Sequence, residues 1–131
     1  MQLPLEIESA GTDARAGRTP TEHTLKLLKD HKIEQPEHRS KPCTAELIKK
    51  SDLIFVMERC HYDFLLSKYP EAKQRIFLLV DFCPGLEVWI QKMGIPDPIG
   101  MNFSFYENVY KIIEQSCREV LELLQKQTST S

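Results

Sequence analysis

The stretch "GIPDPIG", residues 94–100, sets one carboxylate between two prolines and closes on a glycine. Pro96 and Pro98 lack the backbone donor that a helix interior or a central strand needs. Each also drives the residue before it, Ile95 or Asp97, into extended backbone. The segment therefore reads as a stiff loop that holds out Asp97, a side chain able to give and take a proton. The competing reading is an ordinary turn, which Asp before Pro often starts. The four cysteines, Cys43, Cys60, Cys83 and Cys117, are scattered. None forms a C-x-x-C pair and no His/Cys cluster has zinc spacing, so no metal and no other cofactor is expected.

The elements that must position this loop are legible in the hydrophobic pattern. Leu3, Leu5 and Ile7 alternate with other residues up to Gly11, as in a strand running into a turn. Thr19 or Thr21 can cap a helix starting near Pro20, with Leu25 and Leu28 on its apolar stripe. Thr44 caps a short helix over "TAELIKK". "DLIFVME" and "QRIFLLVDF" are apolar runs bounded by charge, the profile of buried strands, the first covered on both faces. Between them "HYDFLLSKY" is predicted helical, with Phe64 and Leu65 inward. In "FSFYENVYKIIEQSCREVLELLQ", Phe105, Val109, Ile112, Ile113, Cys117, Val120, Leu121 and Leu124 step by three and four, which makes one long amphipathic helix. Strands alternating with helices predict an α/β fold on a parallel sheet. Three strands beneath four helices make a thin core, and an element is expected to be missing.

The 131 residues suit one domain, expected over 1–125 with a polar tail at 126–131. A net charge of −2, spread along the chain without a basic stripe or acidic tail, argues against nucleic acid as a partner. The N-terminus lacks the organisation of a signal peptide and no apolar run is long enough to cross a bilayer. A reduced, cytoplasmic protein with no membrane partner is expected; the oligomeric state is not readable.

In order, "IESAGTDA", "EHRSKPCTAELIKKSDLIFVMERCHYDFLL", "AKQRIFLLVDF" and "IPDPIGMNFSFYENVYKIIEQSCREVLELL" resemble successive blocks of the low-molecular-weight protein tyrosine phosphatase family, its bacterial members above all. The resemblance runs from Leu5 to about Leu124. It implies a three-layer α/β fold, a small parallel sheet with helices on both faces. It also implies a phosphomonoester hydrolase that works on a phosphorylated protein through a phospho-cysteine. In that chemistry a loop C-x-x-x-x-x-R follows the first strand, and its backbone N–H groups cradle the phosphoryl oxygens. The same field lowers the cysteine pKa for attack on phosphorus, and the arginine grips two oxygens. By position Asp97 matches the family's general acid and base. Ser9 and His38 match residues that hold the phosphate loop in shape.

One departure is large. The sixth residue after each cysteine is Lys49, Leu66, Trp89 or Leu123, so no C-x-x-x-x-x-R is present. The family's first strand and its loop would precede "LPLEIESAG". In the family that strand lies between the second and third, so the expected sheet lacks its middle. The chain is then expected to fold poorly alone, or to move "LEIES" beside "LIFVME". An N-terminally truncated enzyme, inactive as it stands, is the first reading, because the remaining motifs are intact. A non-catalytic pseudophosphatase or interaction domain is the second. An arsenate reductase, with Cys60 as a redox cysteine, is a weaker third, since Cys60 has no nearby partner in sequence. Tyr62, Tyr106 and Tyr110 are explained by helix packing. After Pro98 come Ile99 and Gly100, where eukaryotic members carry two tyrosines; a smaller apolar wall suits phosphotyrosine or phosphoarginine.

Overall fold

A computed structural model describes residues 5–11, 20–33 and 40–129 of the chain. Helix α1 spans Glu22–Asp30, started by extended Thr21, whose Oγ1 accepts the Thr24 N–H at 3.3 Å. Thr21, rather than Thr19, is the cap. Helix α2, Ala45–Lys50, begins the same way, with Thr44 accepting from Leu47 N–H. At the other end of α2, the Arg75 guanidinium donates to the carbonyls of Ile48 and Ser51 and so closes the helix. Strand β1, Ile54–Val56, leads into helix α3, Arg59–Lys68. A 3-10 turn over Pro70–Arg75 returns the chain to strand β2, Ile76–Leu78. β1 and β2 pair in parallel, Ile54 opposite Ile76 and Val56 opposite Leu78. A second 3-10 turn, Leu79–Phe82, precedes helix α4, Val88–Met93, and the chain ends in helix α5, Phe103–Ser129.

The fold is α/β, a small parallel sheet packed by helices. Its core joins Ile48 of α2, Val56 of β1, Leu65 and Tyr69 at the end of α3, Leu78 of β2, Val80, Ile95 and Val109 of α5. Phe55, Phe77 and Phe82 form a ring cluster with centroids 5.8–6.2 Å apart. Such geometry adds roughly 0.5–1.5 kcal/mol per pair to the area each ring buries. Helix α1 docks on α5 through two imidazoles: His23 lies 4.9 Å from the Tyr106 ring, and His31 stacks on Tyr110 at 4.2 Å. No helix among the described residues is long and apolar enough to cross a membrane.

Several expectations are corrected. Leu5–Ala10 is not a strand: among the described residues its backbone joins no ladder, and a single parallel bridge, Gly11–Pro42, follows it. An extended segment becomes a strand only when a neighbour satisfies its backbone, and β1 does not take that place. The expected move of "LEIES" beside "LIFVME" does not occur. "DLIFVME" yields a three-residue strand with Leu53 and Met57 more than a third exposed, not one covered on both faces. "QRIFLLVDF" is buried through Val80, but its second half is 3-10 rather than strand.

Phe64 faces solvent while Leu65 is buried. One residue turns a helix by about 100°, and the inward face of α3 is set by Leu65 with Tyr69 four residues on. Likewise Leu27 rather than Leu25 is the buried leucine of α1, because the helix turns His23, Leu27 and His31 toward α5. In α5, Cys117 and Leu121 are exposed, whereas Ser116 is fully buried with its hydroxyl donating to the Ile112 carbonyl. Helix α4 was not expected, since Val88, Trp89 and Met93 all face outward and give no buried stripe.

Candidate active site

Asp97 sits where the sequence places it, in a loop between α4 and α5. Gly94 ends α4 with φ +92°, a left-handed conformation that glycine alone adopts without strain. It also lies against the end of β1. A Cβ there would meet the Met57 carbonyl oxygen at 2.2 Å and Glu58 Cα at 2.7 Å. This close approach lets Gly94 bridge Glu58 in antiparallel sense, and Ile95 N–H donates to the Met57 carbonyl at 2.6 Å. Ile95 itself is 1% exposed and locks the loop into the core.

Beyond Ile95 the chain turns tightly. Asp97 Oδ1 accepts the Ile99 N–H at 3.0 Å, and Met101 N–H donates to the Pro98 carbonyl at 2.9 Å. Gly100, at φ +84°, takes the third position of that turn. Asn102 then caps α5, its Oδ1 accepting from Phe105 N–H at 3.0 Å. The Asp97 side chain is exposed, and no hydrogen bond reaches its Oδ2 among the described residues. The turn reading is met, since Asp97 Oδ1 holds the turn.

Asp97 lines a cleft of about 170 Å³ with Met57, Glu58, His61, Pro96, Pro98 and the α5 residues Val109 and Ile113. The lining is largely apolar, with three ionisable groups converging on it. Glu58 and His61 were not singled out in the sequence. The signal was available, since ligands of parallel α/β sheets gather outside the carboxyl ends of the strands, and "ERCH" directly follows β1. Glu58 Oε2 accepts a weak bond from the Cys60 thiol at 3.6 Å. Cys60 is exposed, and it forms no disulfide; nor do Cys43, half-buried, Cys83, buried, and Cys117. No group of three or more His, Cys, Asp or Glu able to hold a metal occurs among the described residues.

Ser9 lies in the exposed extended segment and makes no hydrogen bond with Asp97. Its neighbourhood is held by other groups. Glu8 pairs with Lys41 at 3.0 Å and Lys50 at 2.9 Å, Gly11 N–H donates to the Lys41 carbonyl, and Cys43 N–H to the Gly11 carbonyl. The two ammonium groups hold the Glu8 carboxyl below the ordinary carboxylate range, through hydrogen bonds from Lys50 and then Lys41. His38 lies outside the described residues. Tyr106 and Tyr110 pack on α1, and burial followed by a hydrogen bond to Glu114 pushes the Tyr110 phenol up.

The sequence profile described as low molecular weight phosphotyrosine protein phosphatase matches residues 1–130. A protein-arginine-phosphatase of Geobacillus stearothermophilus is 31% identical over 125 residues, which is 95% of this chain and 80% of that protein. The low molecular weight protein-tyrosine-phosphatase Wzb of Escherichia coli K12 is 26% identical over 120 residues, 92% of this chain and 77% of its own. In three dimensions the chain superposes on the YwlE arginine phosphatase from Geobacillus stearothermophilus with a TM-score of 0.86, at 29% identity, covering 98% of this chain and 80% of that one. The tyrosine phosphatase Wzb from Escherichia coli K30, in complex with sulphate, superposes with a TM-score of 0.78 at 28% identity, covering 91% and 78%.

Proposed function

Because this chain belongs to the low molecular weight phosphotyrosine protein phosphatase family, we propose that it serves the hydrolysis of a phosphorylated protein side chain, with Asp97 as general acid and then general base. The observation that carries this reading is the placement of Asp97. Its loop is fastened to the carboxyl end of β1 by Gly94 and Ile95, and Asp97 lines the cleft. In the first step a thiolate forms a bond to phosphorus as the bond to the substrate oxygen or nitrogen breaks, and Asp97 gives its proton to the leaving atom. In the second step Asp97 takes a proton from water as that water attacks phosphorus and releases the thiolate.

The thiolate and the phosphate-gripping arginine are not among the 131 residues, which contain no C-x-x-x-x-x-R. We therefore infer that this polypeptide by itself does not turn over a phosphomonoester. Ser9 and His38 are proposed as supports of the phosphate loop, within a domain over residues 1–125 in a reducing, cytoplasmic setting suited to four free thiols. The substrate is phosphotyrosine or phosphoarginine. The relatives named above include one of each kind, and Ile99, half-exposed or more at the loop tip, offers either a modest apolar wall.

The test has two arms. The 131-residue chain is expected to show no vanadate-sensitive hydrolysis of p-nitrophenyl phosphate. A form preceded by a strand, a C-x-x-x-x-x-R-S loop and a helix is expected to be active, and Asp97→Ala in that form to lower kcat by about 10²–10⁴. An unchanged rate would remove Asp97 as the acid. The absent C-x-x-x-x-x-R also supports a second reading, a non-catalytic interaction domain. Inactivity of the extended form together with a well-folded chain would favour it. The arsenate reductase reading has less support, since among the described residues the Cys60 thiol bonds Glu58 and forms no disulfide.

A further inference from the structure

We propose that helix α1 positions the acid: Thr21, His23 and Lys26 hold the first turn of α5 from outside, and through that turn they fix where the Asp97 carboxylate stands. The proposal rests on the reading of Asp97 as general acid and adds three positioning residues to it.

The Asp97 loop has two ends, secured in different ways. Its start is tied to the sheet, where Gly94 bridges Glu58 and the Ile95 N–H reaches the Met57 carbonyl. Its far end runs directly into α5. Asp97 Oδ1 accepts the Ile99 N–H, the Pro98 carbonyl accepts the Met101 N–H, and Asn102 Oδ1 accepts the Phe105 N–H. The Asn102 carbonyl in turn accepts the Tyr106 N–H at 3.3 Å. The place of Asp97 therefore depends on where the turn Phe103–Tyr106 lies. The first turn of a helix is a weak support, because its amides have no partners earlier in the helix and its end frays. It has to be held by something else.

Helix α1 supplies that hold. Among the described residues, neither Phe103 nor Tyr106 joins the core cluster that contains Val109, and the ring contacts of both are with α1. His23 sits between the two rings, 5.7 Å from Phe103 and 4.9 Å from Tyr106, tilted by 55° and 58°. One turn on, Lys26 Nζ stands 3.8 Å from the centroid of the Phe103 ring, on the face that attracts a cation. The Thr21 hydroxyl, which caps α1, donates to the Tyr106 phenol oxygen at 3.3 Å. His23 and Lys26 are three residues apart, as are Phe103 and Tyr106, so each pair lies on one face of its helix. Further along, Leu27 is buried and His31 stacks on Tyr110, which keeps α1 docked when a contact at its start is removed.

Nitrogen-15 NMR of the 131-residue chain tests this, with the Ile99 amide as reporter because it bonds Asp97 Oδ1. Asp97→Ala marks where that amide resonates without its acceptor. His23→Ala is expected to move the Ile99 resonance toward that position and to speed its hydrogen exchange about tenfold, the amides of Ile76–Leu78 staying protected. His23→Phe, which keeps a ring between Phe103 and Tyr106, should restore the resonance. Should His23→Ala disturb the whole fold, Lys26→Met, at a mostly exposed side chain, is expected to move Ile99 the same way by a smaller amount. In the extended, active form His23→Ala should lower kcat about tenfold with KM little changed, as displacement of a catalytic group does. An Ile99 amide indifferent to both His23→Ala and Lys26→Met overturns the proposal. So does a kcat that holds while Ile99 moves. An unchanged kcat in Asp97→Ala is a separate result, which overturns the acid itself and its positioning with it.

Discussion

Two extended segments of this molecule, Gly94–Pro98 and Leu5–Ala10, begin from similar local chemistry and end differently. Each is short and irregular, and each carries an isoleucine where an extended chain would place an apolar residue. Ile95 is 1% exposed and Ile7 84%. The first is fastened to the end of β1 through a glycine close enough to bridge Glu58 and an amide bonded to Met57. The second is fastened at one end by Gly11 and by two half-exposed ion pairs. Apolar character did not decide which segment was buried. Backbone pairing with the sheet did, because an extended chain has no internal hydrogen bonds and must take them from a neighbour.

The contrast can be broken at the two isoleucines. Ile95→Ala is expected to cost about 2–5 kcal/mol, the range for truncating a buried aliphatic side chain. Ile7→Ala should stay within about 0.5 kcal/mol. Urea unfolding of the two variants measures both, and similar costs would erase the distinction. Gly94 is expected to be at least as sensitive. Alanine there must hold φ +92°, a strain of about 1–3 kcal/mol by itself, and its Cβ would fall 2.2 Å from the Met57 carbonyl oxygen, so backbone must shift as well. Hydrogen exchange should then show the Ile95 amide losing protection before the amides of β2, and protection unchanged at Ile95 would mean that the glycine does not hold the loop.

The smallest effect concerns the fastening of Leu5–Ala10. The Glu8 carboxyl is held below its ordinary value and the Lys50 ammonium above its own, each by hydrogen bonding to the other. The sign follows from linkage. The Glu8 contribution is present above the unfolded carboxylate pKa and fades as pH falls through the depressed folded value. The Lys50 contribution is present below the unfolded ammonium pKa and fades as pH rises through the raised folded value. Both groups are solvent-exposed, so the change is modest and weakens with salt. A carbon-detected titration should find the Glu8 midpoint below that of Glu8 in Lys50→Ala. Equal midpoints would show that the tether carries no electrostatic weight.

The acid loop was legible because its information is local. Two prolines and a terminal glycine restrict the backbone whatever surrounds them, and Asp97 emerged in the turn those residues dictate. The cap Thr44 was legible for the same reason, and that of α1 was narrowed to Thr19 or Thr21; each observed cap, Thr21 and Thr44, is a side chain bonding an amide three residues on. Glu58 and His61 were not, although their place after a strand was a usable hint. Their part in the cleft depends on a loop nearly forty positions away coming to rest against β1.

By itself, then, the sequence determined where α2 and α5 start, which runs are apolar, that one carboxylate stands on a rigid loop, and that no C-x-x-x-x-x-R accompanies it. Those properties depend on bonds and sterics within a few residues. Only the tertiary structure decided which apolar runs became strands, which face of α3 and α5 went inward, and what shares the cleft with Asp97. Strand pairing and burial are relations between distant segments, and a residue's own chemistry does not specify its partner. Leu5 and Ile7 have the pattern of a strand, yet among the described residues no strand forms there.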